Sequence, residues 1–221
     1  MSVSLRCYST SLGCPKNRVD TERLLGSLGV ALVPVESPDE AELVFINTCA
    51  FIQPATEESV RTIAQAIADI EELPKRPLLA VAGCLVGRYH AEDLAPELPE
   101  VDLWLDNSDL EAWPAMLARK LGLPEPTVPG RILSTGPSYA WLKISDGCRH
   151  ACSFCAIPNI RGGHRSHCKD MIVREARALL DQGVKELNLV AQDLTEWGCD
   201  LNGKQDLRTL LDGLLPLQGL E

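Results

Sequence analysis

The segment Lys143-Ile-Ser-Asp-Gly-Cys-Arg-His-Ala-Cys-Ser-Phe-Cys155 places three thiols, Cys148, Cys152 and Cys155, at C-x3-C-x2-C spacing directly after a strand-like run. Three thiolates on one tight loop can hold three irons of a [4Fe-4S] cubane and leave the fourth iron open to a small molecule. The competing reading is a zinc site, which usually takes four ligands, often as two C-x2-C pairs. His150, His164, His167 and Cys168 lie near enough in the chain to keep that reading open. Ligand spacing favours the cluster.

Three more cysteines stand just past predicted strands: Cys14, Cys49 and Cys84. In an open α/β sheet the carboxyl ends of the strands share one edge, and ligands bind there, so residues far apart in sequence can converge. Gly13 and Gly83 immediately precede two of the three and permit tight turns with close backbone approach, as a bulky cluster requires. The alternative is three buried, inert thiols, a common fate of free cysteine.

The elements that must position these residues follow from alternating patterns. Strand-like runs at Leu5 to Ser9, Leu43 to Asn47, Leu78 to Ala82 and Val101 to Leu105, with a weak one near Ala31 to Val35, alternate with helical runs. The helices are expected at Pro15 to Leu28, Pro54 to Glu72, Gly87 to Leu94 and Leu110 to Leu121, with Pro15, Pro54 and Ser108 as start signals. Five strands and four helices in this order predict an α/β, flavodoxin-like parallel-sheet domain over residues 1–121. Residues 122–137 hold four prolines and three glycines and read as a linker. The pattern restarts in 138–221: a strand at Tyr139 to Ile144, the cysteine loop, a helix at Asp170 to Gln182, a strand at Glu186 to Val190 and a helix at Leu207 to Leu215.

Bulk properties narrow the function classes. The 221 residues, 45% of them hydrophobic, suffice for one large domain or two modest ones. The apolar runs Leu43 to Ile46 and Leu78 to Ala82 are far short of the roughly 20 residues that span a bilayer, so no membrane association is expected. MSVSLRCYST lacks the pattern of a secretory signal, and a cytoplasmic location is expected. In a reducing compartment nine cysteines point to metal ligation or catalysis rather than disulfides, and an odd number argues against full pairing. A net charge of -10 speaks against strong nucleic-acid binding by this segment and is compatible with a basic protein partner.

Taken together, Ser11-Leu-Gly-Cys-Pro-Lys-Asn17, Asn47-Thr-Cys-Ala-Phe51, Ala82-Gly-Cys84 and Leu142-Lys-Ile-Ser-Asp-Gly-Cys-Arg-His-Ala-Cys-Ser-Phe-Cys-Ala-Ile-Pro158 resemble the radical S-adenosylmethionine methylthiotransferase family. Gly13-Cys-Pro-Lys-Asn17 and Ala191-Gln-Asp-Leu-Thr195 are similar to the RimO type, which modifies an aspartate of ribosomal small-subunit protein twelve. The tRNA-modifying type typically has Gly-Cys-Gln-Met-Asn and Gly-Gln-Asn there. The resemblance implies two [4Fe-4S] clusters, one on Cys148, Cys152 and Cys155 and a second on Cys14, Cys49 and Cys84 that binds or supplies the transferred sulfur. It also implies S-adenosyl-L-methionine as methyl donor and radical source, and insertion of a methylthio group at the β-carbon of the aspartate. A C–H bond without an acidic proton resists general bases, so a hydrogen-abstracting radical suits it. Phe154 resembles the aromatic that packs near the adenine, or else shields the cluster from water. Gln192 stands where the superfamily often contacts the methionine amino group, or else caps a loop; Asp193 is open in the same way. Arg161 and Arg165 could grip a carboxylate in bidentate fashion, the alternative being surface solvation. No catalytic side chain, electron donor or sulfur source is assigned.

Members of that family normally continue with further βα units, completing an open six-stranded barrel, and with a small β-rich TRAM domain. An incomplete barrel is therefore expected here, with an exposed sheet edge and poor stability of the second domain alone. Cys7, Cys168 and Cys199 match no family ligand and are expected to be structural or incidental. Two other functions remain open at this point: a tRNA methylthiotransferase, and an inactive fragment that only binds a cluster or a partner.

Overall fold

The run Leu-Val-Phe-Ile at 43–46 has no polar face, a pattern that suits a strand covered on both sides of a parallel sheet. A computed structural model describes residues 4–203 and 205–220, and the chain divides into two units, Met1–Ile132 and Leu133–Glu221.

In the first unit the chain runs β1 (Ser4–Ser11), α1 (Pro15–Ser27), β2 (Ala31–Pro34), β3 (Leu43–Thr48), α2 (Gln53–Ile70), β4 (Leu78–Gly83), α3 (Cys84–Tyr89), α4 (Ala91–Leu94), β5 (Leu103–Leu105) and α5 (Trp113–Leu121). All strand pairs are parallel, in the order β2-β1-β3-β4-β5. This is the flavodoxin-like order expected from the sequence. Every residue of β3 is buried. Alternation along the strand sends Leu43 and Phe45 to the core holding Leu24, Trp113 and Leu117. Ile63, Ile67 and Ile70 are buried on α2 at steps of four and three residues, as an amphipathic helix requires.

Several boundaries differ from the sequence reading. The helix expected at Gly87 to Leu94 starts at Cys84 and breaks at His90, a non-glycine residue at φ 60°. The strand expected from Val101 shortens to Leu103–Leu105, and the helix expected from Leu110 begins at Trp113, after a 3-10 turn at Asn107–Asp109. Within the proline- and glycine-rich stretch, residues 130–132 lie against α1. Gly130 N–H donates to Ser27 Oγ at 3.1 Å, Ile132 N–H to the Glu22 carbonyl at 3.1 Å, and Arg131 Nε to Glu22 Oε2 at 2.9 Å. The Arg131 and Glu22 side chains are 6% and 2% exposed, so the pair is buried. An ion pair bridging 109 residues leaves no periodic trace in sequence.

The second unit contains β6 (Tyr139–Lys143), β7 (Ser145–Asp146), α6 (Ile157–Arg161), β8 (Arg165–Ser166), α7 (Lys169–Asp181), β9 (Glu186–Val190) and α8 (Leu207–Leu214). β6 pairs in parallel with β9, and β7 pairs antiparallel with β8. No closed barrel is formed by the described residues. The core gathers Leu142, Ile144, Ile172, Leu179, Trp197 and Leu210, and Trp197 Nε1 donates to the His167 carbonyl at 3.0 Å. None of the described helices is long and apolar enough to cross a membrane.

Removing one partner of a buried ion pair strands the other charge, whereas replacing both is tolerated. Arg131→Met is expected to destabilise the first unit by about 3 kcal/mol in urea unfolding, and Glu22→Leu in the same chain to restore most of the loss.

Candidate functional site: two three-cysteine edges

The sheet register assembles the first group of thiols. Ser11 pairs with Asn47, and Thr48 pairs with Gly83, on the three adjacent strands β1, β3 and β4. Cys49 and Cys84 are the next residues after the Thr48–Gly83 pair, and Cys14 follows β1 by three residues. The expected convergence of Cys14, Cys49 and Cys84 at one sheet edge is thus a consequence of register.

Buried polar side chains hold the three turns. Asn17, fully buried, donates through Nδ2 to the Leu12 carbonyl at 2.9 Å and the Thr48 carbonyl at 2.7 Å, while its Oδ1 lies 3.8 Å from Cys84 Sγ. Asn47 Nδ2 donates to the Asn17 carbonyl at 2.9 Å. Ser59 Oγ accepts from Cys49 N–H at 3.0 Å and donates to the Cys49 carbonyl at 2.7 Å. Thr48 Oγ1 donates to the Ala82 carbonyl and accepts from Leu85 N–H at 3.1 Å. Cys14 caps the amino end of α1, where the helix dipole favours negative charge.

The chain at this edge is packed too closely to admit a side chain at either glycine. A methyl group on Gly13 would fall 2.6 Å from Cys49 Cβ and 2.7 Å from its sulfur. One on Gly83, at φ +99°, would fall 2.2 Å from Asn47 Oδ1. Cys49 and Cys84 are buried and Cys14 half-buried. Cys14, Cys49 and Cys84 are the residues at this edge that could hold a thiolate-bound iron–sulfur group. The shallow groove of about 290 Å³ lined by Arg6, Glu42, Lys75 and Arg76 is at the opposite, amino-terminal ends of the strands.

The second group is built locally. Gly147, at φ +67°, packs so closely that a methyl group there would lie 2.1 Å from the Gly163 carbonyl oxygen. Cys148 N–H donates to the Gly162 carbonyl at 3.2 Å, and Cys155 N–H to the Cys152 carbonyl at 3.1 Å. Cys152 is exposed, with Cys148 and Cys155 half-buried. Phe154 is 90% exposed, so its ring is available to a ligand and packs on no core. Gln192 lies just past β9; its Nε2 and Oε1 are both inaccessible to solvent and without a hydrogen-bond partner. A buried amide with neither donor nor acceptor satisfied is costly. Asp193 accepts from Thr195 N–H at 3.0 Å and meets His150 Nε2 at 3.0 Å. The Thr195 hydroxyl, more than His150, holds its carboxyl below the usual range.

Of the two readings of Arg161, gripping a carboxylate or solvating a surface, the geometry supports the first: it is 3% exposed, and Nη1 donates to Asp146 Oδ1 at 3.1 Å. Arg165 remains exposed. The histidines offered as zinc ligands are engaged elsewhere: His150 with Asp193, His164 Nε2 with Ser166 Oγ at 3.1 Å, and His167 with Asp146 and the Lys143 carbonyl. His164 also gathers with Cys199 and Asp200, apart from the C-x3-C-x2-C loop in sequence. Burial pushes the Cys7 thiol up to about 12, the behaviour of a structural cysteine, whereas Cys168 and Cys199 are exposed. The sequence reading offered Arg161 a carboxylate but missed that Asp146 would supply it and that Lys143 would be buried with them.

Comparison with known proteins places the chain. Residues 6–106 match the family described as Uncharacterized protein family UPF0004. The chain is 68% identical, over 213 residues, to the Ribosomal protein uS12 methylthiotransferase RimO of Nitratidesulfovibrio vulgaris strain DP4, covering 96% of this chain and 50% of that protein. The protein of the same name from Lawsonia intracellularis strain PHE/MN1-00 is 58% identical over 221 residues, covering all of this chain and 50% of the relative. By sequence, this chain is similar over nearly its whole length to proteins named RimO. It spans about half the length of the curated RimO relatives it matches. Among solved structures, the radical S-adenosylmethionine methyltransferase TsrM from Kitasatospora setae, with tryptophan substrate and the analogue aza-SAM bound, shares the fold. Its TM-score is 0.56 at 12% identity, covering 87% of this chain and 48% of that one.

Two measurements check the geometry. Gly83→Ala is expected to cost about 1–3 kcal/mol of first-unit stability in urea unfolding, because it combines a positive φ with contact to Asn47 and Thr48. Brief iodoacetamide treatment of the metal-free native chain, read by peptide mass spectrometry, should label Cys168 and Cys199 while leaving Cys7 unmodified until the chain is unfolded.

Proposed function

We propose that this chain carries the two cluster-binding regions of a methylthiotransferase that adds a methylthio group to the β-carbon of an aspartate in ribosomal protein uS12. The observation that carries the reading is the pair of three-thiol edges, one made by sheet register and one by a single loop, each with the same number of ligands and each one short of a closed four-ligand site. When bound, two [4Fe-4S] clusters and S-adenosyl-L-methionine would supply one-electron chemistry at an unactivated C–H bond together with the sulfur and the methyl group.

The chain's own residues have separable tasks in this reading. Cys148, Cys152 and Cys155 hold the cluster that meets S-adenosyl-L-methionine, and Cys14, Cys49 and Cys84 hold the second. Gln192 receives the methionine moiety through its buried amide, and the exposed Phe154 ring covers the adenine. Asn17, Asn47 and Ser59 keep the first edge from collapsing when its thiolates are charged. An aspartyl loop of a basic ribosomal protein suits a chain of net charge -10, which would repel a tRNA backbone. The setting of such chemistry is the cytoplasm, where thiols stay reduced.

The test is anaerobic reconstitution with iron and sulfide, followed by incubation with S-adenosyl-L-methionine, a reductant and either uS12 or tRNA. Wild type is expected to bind about two cubanes per chain, falling to about one when Cys148, Cys152 and Cys155 are all alanine, and likewise when Cys14, Cys49 and Cys84 are. Mass spectrometry should find methylthio-aspartate in uS12 and no modified adenosine. Zinc uptake without sulfide would sink the radical reading, and cluster loading without cleavage of S-adenosyl-L-methionine would leave a cluster-binding fragment.

A further inference from the structure

Three charged side chains lie in the interior of the second unit, where apolar residues would cost less desolvation. Lys143, Asp146 and Arg161 are 1%, 4% and 3% exposed. Lys143 Nζ meets Asp146 Oδ2 at 2.9 Å, and Arg161 Nη1 meets Asp146 Oδ1 at 3.1 Å, so the carboxylate is gripped on both oxygens. His167 closes the arrangement, with Nε2 3.4 Å from Asp146 Oδ2 and Nδ1 3.1 Å from the Lys143 carbonyl.

Their places in the chain give the network its meaning. Lys143 ends β6, Asp146 lies two residues before Cys148, and Arg161 ends α6, the helix that begins two residues after Cys155. The network therefore ties the entry of the cysteine loop to its exit. The backbone repeats the closure, because Cys148 N–H donates to the carbonyl of Gly162, the residue after Arg161. Two cations are held with one carboxylate beside a loop whose thiolates would carry an iron–sulfur group. A positive charge fixed in a poorly solvated interior stabilises an electron added nearby more strongly than one in water.

We propose that Lys143, Asp146 and Arg161 are positioning residues that close the Cys148–Cys155 loop and raise the reduction potential of the cluster it holds. The inference rests on the cluster reading of that loop. It assigns the charge of Lys143 a redox role separate from its packing, since a one-electron reduction adds negative charge to the cluster and a neighbouring cation favours it.

The experiment is an electron paramagnetic resonance redox titration of the anaerobically reconstituted chain, using dithionite. The loop cluster is recognised by the change in its signal on adding S-adenosyl-L-methionine. Lys143→Met keeps the stem length and removes the charge; it should retain iron and sulfide yet shift the midpoint potential downward. Lys143→Arg should keep the wild-type potential, and Arg161→Gln should move it in the same direction as Lys143→Met. An unchanged potential in fully loaded Lys143→Met overturns the proposal, and so does equal loss of cluster from Lys143→Met and Lys143→Arg, which would mark a steric role. Absence of any cluster in wild type would instead fail the cluster reading itself, before the variants are compared.

Discussion

Because β1, β3 and β4 run parallel and adjacent, the pairing of Thr48 with Gly83 delivers Cys49 and Cys84 side by side, with Cys14 on the neighbouring turn. A slip of one residue in that register would turn every β3 side chain to the opposite face. The fully buried Leu43–Thr48 run prevents it only in part, since both faces are apolar. Specificity comes from the polar end of the strand, where Asn47 and Thr48 find partners on α1 and β4. The same hydrogen bonds that fix register therefore fix the sulfurs.

The second unit solves the problem differently. Its three thiols sit within eight residues, so no long-range register is needed to gather them. What a short loop lacks is rigidity, and here that comes from its ends: Gly147 against Gly163, Cys148 against Gly162, and the buried ions beneath. Burial, the largest single influence on the Asp146 carboxyl, works to raise it. The combined pull of Lys143, His167 and Arg161 outweighs burial and holds it well below the ordinary range. A carboxylate so held is an anchor for two cations rather than a proton donor.

Both edges share a logic of incomplete satisfaction. Asn47 Oδ1 and both polar atoms of Gln192 are buried without partners, although the backbone around them is well bonded. Native interiors rarely leave such atoms alone. At Gln192, just past β9, both the donor and the acceptor of the amide are left unmet.

Much of this was legible in the amino-acid sequence. The strand and helix alternation predicted the five-stranded sheet, most clearly at β3 and β4, whose burial on both faces writes continuous apolar runs. Cysteine spacing and the residues flanking Cys14, Cys49, Cys84 and Cys148 pointed to the methylthiotransferases, because ligand chemistry constrains neighbours as well as ligands. The break at His90, the helix beginning at Cys84 and the seating of residues 130–132 on α1 were decided only in three dimensions. Capping and long-range ion pairs have no period for a sequence to display. The same holds for Lys143, Asp146 and Arg161: the sequence left Arg161 open between a carboxylate and solvent, and only the tertiary structure, by folding both ends of the cysteine loop over one carboxylate, decided for the carboxylate and made all three interior.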